Sequence, residues 1–488
     1  MDSITNRLYF FPLIYTSLGA VLGFYFLFKI NLALIITFIF IILIVLCLFR
    51  VLASLDTQSR FLQQAAFCSI AFIIGVVLGL CIAYSGHNDV NFGIPENNIT
   101  AVEGILIEDP RIISGGRAMA VISLKNSSSE RGQRVSSSGE ITVFFSQLNT
   151  DKIIQFGRGT TIFIEGNLRS TDRGWTYSAN SLHIVKPAPL IEQMRTGIRL
   201  SLIKRFEKET WGGLALALLL GIRDNLDSDF TDMYREAGLS YILALSGMHL
   251  AILAAIIAFI LKKPLGLKIS SVTGAVIIIF YCLLVGPMPS LNRAALMYIL
   301  GVITIIFSLP KKAISILSLS FLIQIIITPA AGKTISFILS YLALLGILII
   351  GKALSSLLKG KFPDFLLQPL SISIGAFLAT AGICSFVFGR IAPVGIIAGL
   401  LIVPLTTIFM IGSIIWLLLD FISLSVLINM PLFFVYKLME IIASLAGNVP
   451  GISANPILII ILSIILSVVI LVLEYWRRSA LLCLKPFD

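Results

Sequence analysis

Apolar residues follow two rhythms along this chain. Before residue 86 and after residue 239 they run almost unbroken, in stretches near the ~20 residues a helix needs to cross hydrocarbon. Between residues 99 and 185 they alternate with polar residues in short bursts separated by turn signals. The first rhythm predicts membrane helices and the second predicts strands.

The long runs predict spans at about 9–28, 31–49 and 65–84, then at about 240–261, 269–286, 290–308, 313–328, 334–351, 369–388, 393–418, 421–446 and 456–475. The alternating runs ITAVEGILIEDP, AMAVISL, GEITVFFSQ, GTTIFIEGNLR and TYSANSLHIV predict about five strands, with Ser-rich 126–138 as a mobile loop. That number fits a small Greek-key barrel of the OB type. From 189 to 208, Leu190, Ile191, Met194, Ile198, Leu202 and Phe206 recur at near-helical spacing with Arg and Lys between them. They predict an amphipathic helix lying along a membrane surface. The next segment, WGGLALALLLGIRDN, is too short and Gly-rich to read as a span, and a polar helix follows at about 227–237. Gly19/Gly23 and Gly75/Gly79 have the G-x-x-x-G spacing of close helix packing.

The fold class expected is therefore a polytopic α-helical membrane protein of about twelve spans, with a small OB-like β-barrel inserted as an extracytoplasmic domain. It divides into a three-span region (1–86), the β domain (99–186), amphipathic and linker helices (187–238) and a core of about nine spans (239–488).

Composition agrees with the pattern: 57% of residues are hydrophobic and 12% charged, and mean hydropathy is +1.00. The net charge of +11 is no nucleic-acid signal, because residues 86–200 carry 12 Lys/Arg against 11 Asp/Glu. The excess sits at span flanks: Arg50, Arg60, Lys262, Lys263, Lys311, Lys312, Lys359, Lys361, Arg477 and Arg478. With those flanks inside, the alternation of spans places both termini in the cytoplasm and the β domain outside, as in a bacterial inner-membrane protein. The first run lacks a cleavage site and reads as a retained anchor. The six cysteines show no C-x-x-C spacing and read as small core residues.

Candidate chemistry starts in LSYILALSGMHLAILAAIIAFILKK, where Ser246, Gly247 and His249 interrupt an apolar run. Polar groups in hydrocarbon must meet protein or water. Ser246 and His249 share a helix face three residues apart. They either line a path or make packing hydrogen bonds, and spacing alone leaves both open. In GPMPSLNRAALM, Asn292 and Arg293 open a span, so Arg293 either snorkels outward or turns inward toward an anion. Ser340 and Tyr341, with Ser336, lie in ISFILSYLALLG, and Pro404 is expected to kink or break its helix. An enzyme is not expected. His87, His183 and His249 are far apart, neither H-E-x-x-H nor Walker spacing occurs, and no third group completes a Ser–His catalytic set. Neither metal nor cofactor is expected.

The stretch LALALLLGIRDNLDSDFTDMYREAGLSYILALSGMHL resembles the ComEC family of competence proteins, inner-membrane DNA-uptake channels. Gly221, Gly238, Leu243, Ala244, Ser246, Gly247 and His249 fall in order on the family's "alllGdr" and "tGlaHLLAISGLHV" elements. PSLNRAALM resembles "PPSvvRAalM" through Pro289, Ser290, Arg293, Ala294, Ala295 and Met297, and SFILSYLALLG resembles "gFqLSf.Avlgl" through Phe337, Leu339 and Ser340. Tyr241 replaces the first signature histidine, Ala251 replaces a glycine, and Ala398-Gly399 stand where the family has Asn.

The resemblance implies passage of single-stranded DNA through the helical core, lined by Ser246, Gly247, His249, Asn292, Arg293, Ser340 and Tyr341. The implied partners are the bilayer, single-stranded DNA, other competence proteins, a separate nuclease for the degraded strand, and further copies of the chain. OB barrels bind single strands through aromatic rings and basic grooves. The candidates here are Phe145, Trp175 and Tyr177 with Arg158, Arg169 and Arg173; Phe144 and Phe145 are adjacent, so at most one faces outward and the other is core. The alternatives are a secondary transporter of an anionic small molecule, using a helix broken at Pro404, and a degenerate member with a structural role.

Overall fold

The computed structural model describes residues 11–21, 69–79, 90–113, 116–129, 133–171, 174–309, 312–332 and 334–483. The span expected at 31–49, the flanks Arg50, Arg60 and Lys311, and the candidate Arg173 lie outside the described residues.

Two N-terminal helices, α1 (Phe11–Val21) and α2 (Ser69–Gly79), cross with their backbones in contact. A Cβ on Gly19 would meet the carbonyl of Phe72, and one on Gly75 the carbonyl of Thr16. Gly19 and Gly75 thus serve packing within the chain, while Gly23 lies outside the described residues.

The β domain contains β1 (Ile99–Leu106), β2 (Arg111–Ile113), β3 (Arg117–Ser129), β4 (Arg134–Ser136), β5 (Glu140–Phe145), β6 (Thr161–Thr171) and β7 (Gly174–Lys186), with α3 (Gln147–Ile153) between β5 and β6. Its five long strands form a circuit of pairings: β1 with β3 and β6, β6 with β7, β7 with β5, and β5 with β3. All are antiparallel except β5–β7. Alternate residues of these strands, among them Val102, Ile122, Val143, Ile162 and Ile164, fill the interior. The Ser-rich stretch expected to be a loop instead extends β3 and returns as β4, pairing Ser127 with Val135. Ser127 and Ser137 are buried there and both donate to the Phe92 carbonyl, at 2.5 and 2.9 Å. Satisfied hydroxyls let a serine-rich sequence sit inside a sheet.

The rest is helical: α4 (Leu190–Phe206), α5 (Gly212–Leu220), α6 (Ser228–Glu236), α7 (Ser240–Leu243), α8 (Gly247–Val285), α9 (Pro289–Ile306) and α10 (Ala313–Ile327), then α11 (Ile335–Leu358), α12 (Asp364–Phe388), α13 (Val394–Asp420), α14 (Val426–Gly447) and α15 (Pro456–Cys483). Among the described residues seven helices are long and apolar enough to cross a membrane. The longest, α8, is two arms folded at Gly266, whose φ of 73° suits glycine alone. Gly274 of the second arm packs near Ile257 of the first. The spans expected at 240–261 and 269–286 are these arms, but the first does not begin at 240. The chain breaks after α7 and restarts at Gly247. Pro404 does not break its helix either, and α13 runs continuously past it.

The short, Gly-rich segment not assigned to the membrane becomes α5, the centre of the largest apolar cluster. Leu214, Leu216 and Leu218 are all buried, and the preceding Trp211 packs on Phe206, Phe409 and Trp416 at 6.1, 5.8 and 5.2 Å between ring centroids. On α4, Leu190, Ile191 and Met194 are 72%, 76% and 62% exposed, whereas Arg195 is buried. The first half of the helix's apolar stripe, Leu190 to Ile198, faces outward while Leu202 and Phe206 turn into the protein core, so the stripe is not one lipid-facing side.

Elsewhere glycines set helix distances. A Cβ on Gly375 of α12 would lie 2.7 Å from Gly351 N and 2.8 Å from Gly346 O of α11, both backbone atoms that cannot rotate away. Gly375→Ala is expected to cost about 1–3 kcal/mol through overpacking, seen as a lower unfolding midpoint in detergent. An unchanged midpoint would mean the two helices separate freely.

Candidate functional site

The Ser246 region is built by a local break. Ala244 and Ser246 adopt extended backbone, so α8 needs a fresh N-cap, and serine is a favoured one. The Ser246 hydroxyl accepts from Met248 N at 3.3 Å, while His249 Nδ1 accepts from Ser246 N at 3.0 Å. This is a capping box in which histidine replaces the usual Glu or Gln. Because Nδ1 is an acceptor, the neutral ring carries its proton on Nε2. That nitrogen is buried without a partner among the described residues, on a side chain only 1% exposed.

The start of α9 docks against this break. Ser290 Oγ donates to the Leu245 carbonyl at 2.5 Å. A Cβ on Gly247 would stand 3.4 Å from Ala294 Cβ and 3.9 Å from Arg293 Nη2. Arg293 is 6% exposed, and its Nε and Nη1 have no partner among the described residues. Its guanidinium carbon lies 5.3 Å from the Tyr341 ring centroid. Tyr341 in turn donates to Gln324 Oε1 at 3.1 Å and sits 3.3 Å from Ser320 Oγ. Gln324 Nε2 donates to the Pro289 carbonyl at 3.3 Å. One buried polar cluster thus joins α8, α9, α10 and α11.

The fold therefore brings Ser246, Gly247, His249, Arg293 and Tyr341 together. Asn292 points away and is exposed, and Ser340 is half-buried and makes none of these bonds. Sequence reasoning missed Ser320 and Gln324. The signal was present, since Gln324 is the one amide in the apolar run AISILSLSFLIQIII. A buried guanidinium stays charged, and burying such a charge costs several kcal/mol unless it is paired. A ring face returns about 0.5–2 kcal/mol, so the cluster as it stands leaves Arg293 under-compensated.

The β domain corrects several expectations. Phe145 and Tyr177 cannot stack on a ligand, being 1% and 0% exposed in the domain core. Tyr177 also donates to the Thr100 carbonyl at 2.8 Å. Strand register decides this: Phe145 points inward with Ala118 and Ala179, so its neighbour Phe144 takes the outer face. Trp175 is half-buried, its ring edge-on to Phe92 at 5.4 Å, and Arg169 is exposed. Arg158 is engaged at a joint, where it pairs with Glu192 of α4 at 2.6 Å.

That joint binds the β domain to the helices. Arg195 pairs with Asp109 and Glu192, and Arg199 lies 3.6 Å from Asp109. Arg199 Nη1 also donates to the Val285 carbonyl at the end of α8, at 2.5 Å. Asp224 Oδ2 accepts from Ile112 N at 3.0 Å. Burial disfavours the charged form of Glu192, but the hydrogen bond and charge of Arg158, followed by those of Arg195, outweigh it and hold its pKa below the ordinary 4.5. A depressed carboxylate stabilises the folded joint above its unfolded pKa, and that contribution disappears as pH falls through the lower folded value. The joint is expected to loosen below about pH 4.5, visible as faster amide exchange in α4. Glu192→Gln removes that pH dependence; if exchange in the variant still rises with acid, the ion pair is not its cause.

Comparison with known proteins gives two relatives and one family. The chain is 27% identical over 207 residues to ComE operon protein 3 of Bacillus subtilis (strain 168), covering 40% of this chain and 25% of that protein. It is also 27% identical over 218 residues to an uncharacterized protein of Aquifex aeolicus (strain VF5), covering 43% of this chain and 50% of that protein. The matches thus span half or less of those relatives' lengths. The competence protein family matches residues 218–479, which hold α6 to α14, most of α15 and every member of the buried cluster. With more than half of its length inside that match, and the cluster lying wholly within it, the chain belongs to the competence protein family.

Proposed function

We propose that this protein is a component of the channel that carries single-stranded DNA across the inner membrane during transformation. The observation that carries the reading is Arg293, a buried cation at the start of a membrane-length helix with no carboxylate partner among the described residues. A polyanion crossing lipid needs such a cation turned away from the hydrocarbon. Membership of the competence family supports the same reading. The circuit of strands supports an OB-type barrel, which receives the strand outside the membrane; both termini are then cytoplasmic. The protein acts by conduction rather than catalysis.

Reconstitution tests this reading. Vesicles holding the full chain are expected to carry a labelled single-stranded oligonucleotide into a nuclease-protected lumen, whereas empty vesicles do not. Flux of small anions with no oligonucleotide protected would favour a secondary transporter instead. The unbroken α13 removes the feature that first suggested such a transporter.

A further inference from the structure

Three positive features meet in one buried place. Arg293 lies in the first turns of α9, and its Nη2 is 3.9 Å from the Cβ position of Gly247, the first residue of α8. A helix N-terminus carries a partial positive charge and N–H groups that lack partners within the helix. The starts of α8 and α9 are held side by side by the 2.5 Å bond from Ser290 to the Leu245 carbonyl. Cations are disfavoured at helix N-termini, yet this one is 6% exposed with Nε and Nη1 unpartnered among the described residues. The bond network fixes the arrangement: Gln324 holds Pro289, and Tyr341 carries the guanidinium on its ring. Such a convergence favours an oxyanion.

We propose that the Gly247–Arg293 corner binds one phosphodiester group, the Arg293 fork and the Gly247 amide at the start of α8 taking its two non-bridging oxygens. The proposal rests on the uptake reading only for the source of that group. Gly247 has a role in this site, because any larger side chain would stand directly before Arg293. Recognition by charge and amide alone reads the backbone and not the base, so passage is independent of sequence.

Two compounds of the same chemistry could occupy the corner, a nucleic-acid strand or a lipid headgroup, and one experiment separates them. The full chain is purified in a maltoside detergent, which carries no phosphate, and its thermal transition is followed with added ligand. The probes are thymidylyl-thymidine, which has one phosphodiester, its uncharged methylphosphonate analogue, and phosphatidylglycerol. Thymidylyl-thymidine is expected to raise the wild-type transition and the methylphosphonate to leave it unmoved. Arg293→Gln and Gly247→Leu are expected to weaken the response at least about tenfold. Gly247→Ala places its Cβ in ordinary contact at 3.4 Å, so it folds and tests the site if the larger changes do not. An Arg293-dependent response to phosphatidylglycerol alone supports the phosphodiester site and overturns the uptake reading. Equal responses of wild type and all variants overturn the site itself.

Discussion

Arg293→Gln is expected to lower DNA uptake at least about a hundredfold while the protein inserts and accumulates normally. Hydrogen bonds to a charged group contribute about 1.5–3 kcal/mol each. Losing one or two of them reaches a hundredfold at about 1.4 kcal/mol per factor of ten. The stability of the variant carries the distinguishing sign. An arginine kept for structure, with satisfied partners, would destabilise the fold when removed. Arg293 leaves two nitrogens without partners among the described residues, so neutralising it removes an uncompensated buried charge. The unfolding midpoint should hold or rise while uptake falls. Uptake is read as label protected from external nuclease in cells whose sole copy carries the change, beside the midpoint of the purified protein. Unchanged uptake, or a protein that fails to accumulate, would remove Arg293 from the pathway. Arg293→Lys should recover part of the activity, because it keeps the charge and loses the planar fork.

Trp211→Ala is expected to cost about 3–5 kcal/mol, enough to deplete the folded protein. The indole is fully buried among Phe206, Phe409 and Trp416. Its Nε1 donates to Asn429 Oδ1 at 2.7 Å, and Asn429 Nδ2 donates to Glu209 at 2.6 Å. Truncation opens a cavity in the cluster around α5 and leaves an amide oxygen without its donor. Trp211→Phe keeps most of the packing and should cost nearer 1–2 kcal/mol, the value of the lost hydrogen bond and a smaller void. Unfolding midpoints in detergent and the amount of membrane-inserted protein measure both changes. A Trp211→Ala protein as stable as wild type would show that α5 is not the keystone its burial implies.

The elements of this protein were legible because their causes are local. An apolar run of span length admits few structures other than a helix, and alternation with turn residues admits few other than strands. Hence the helices from 247 onward and the five long strands lie where periodicity placed them. The family signature was legible too, since a histidine and an arginine stand out in apolar runs, and His249 and Arg293 lie in the ordered motifs. Facing and partnership were not legible. Adjacent Phe144 and Phe145 differ only in which side of the sheet they take, and pairing register, a long-range property, sent Phe145 inward. Gln324 looked like an isolated amide until packing set it between Pro289 and Tyr341. WGGLALALLL was too short to read as a span and became the core because other helices surround it. By itself the sequence determined which segments are helix and strand, and that a few polar groups must lie within the apolar bundle, since both depend on side chains near in sequence. Only the tertiary structure decided that Gly247, Arg293 and Tyr341 meet in one buried place, because that depends on which helix faces meet across tens of residues of chain.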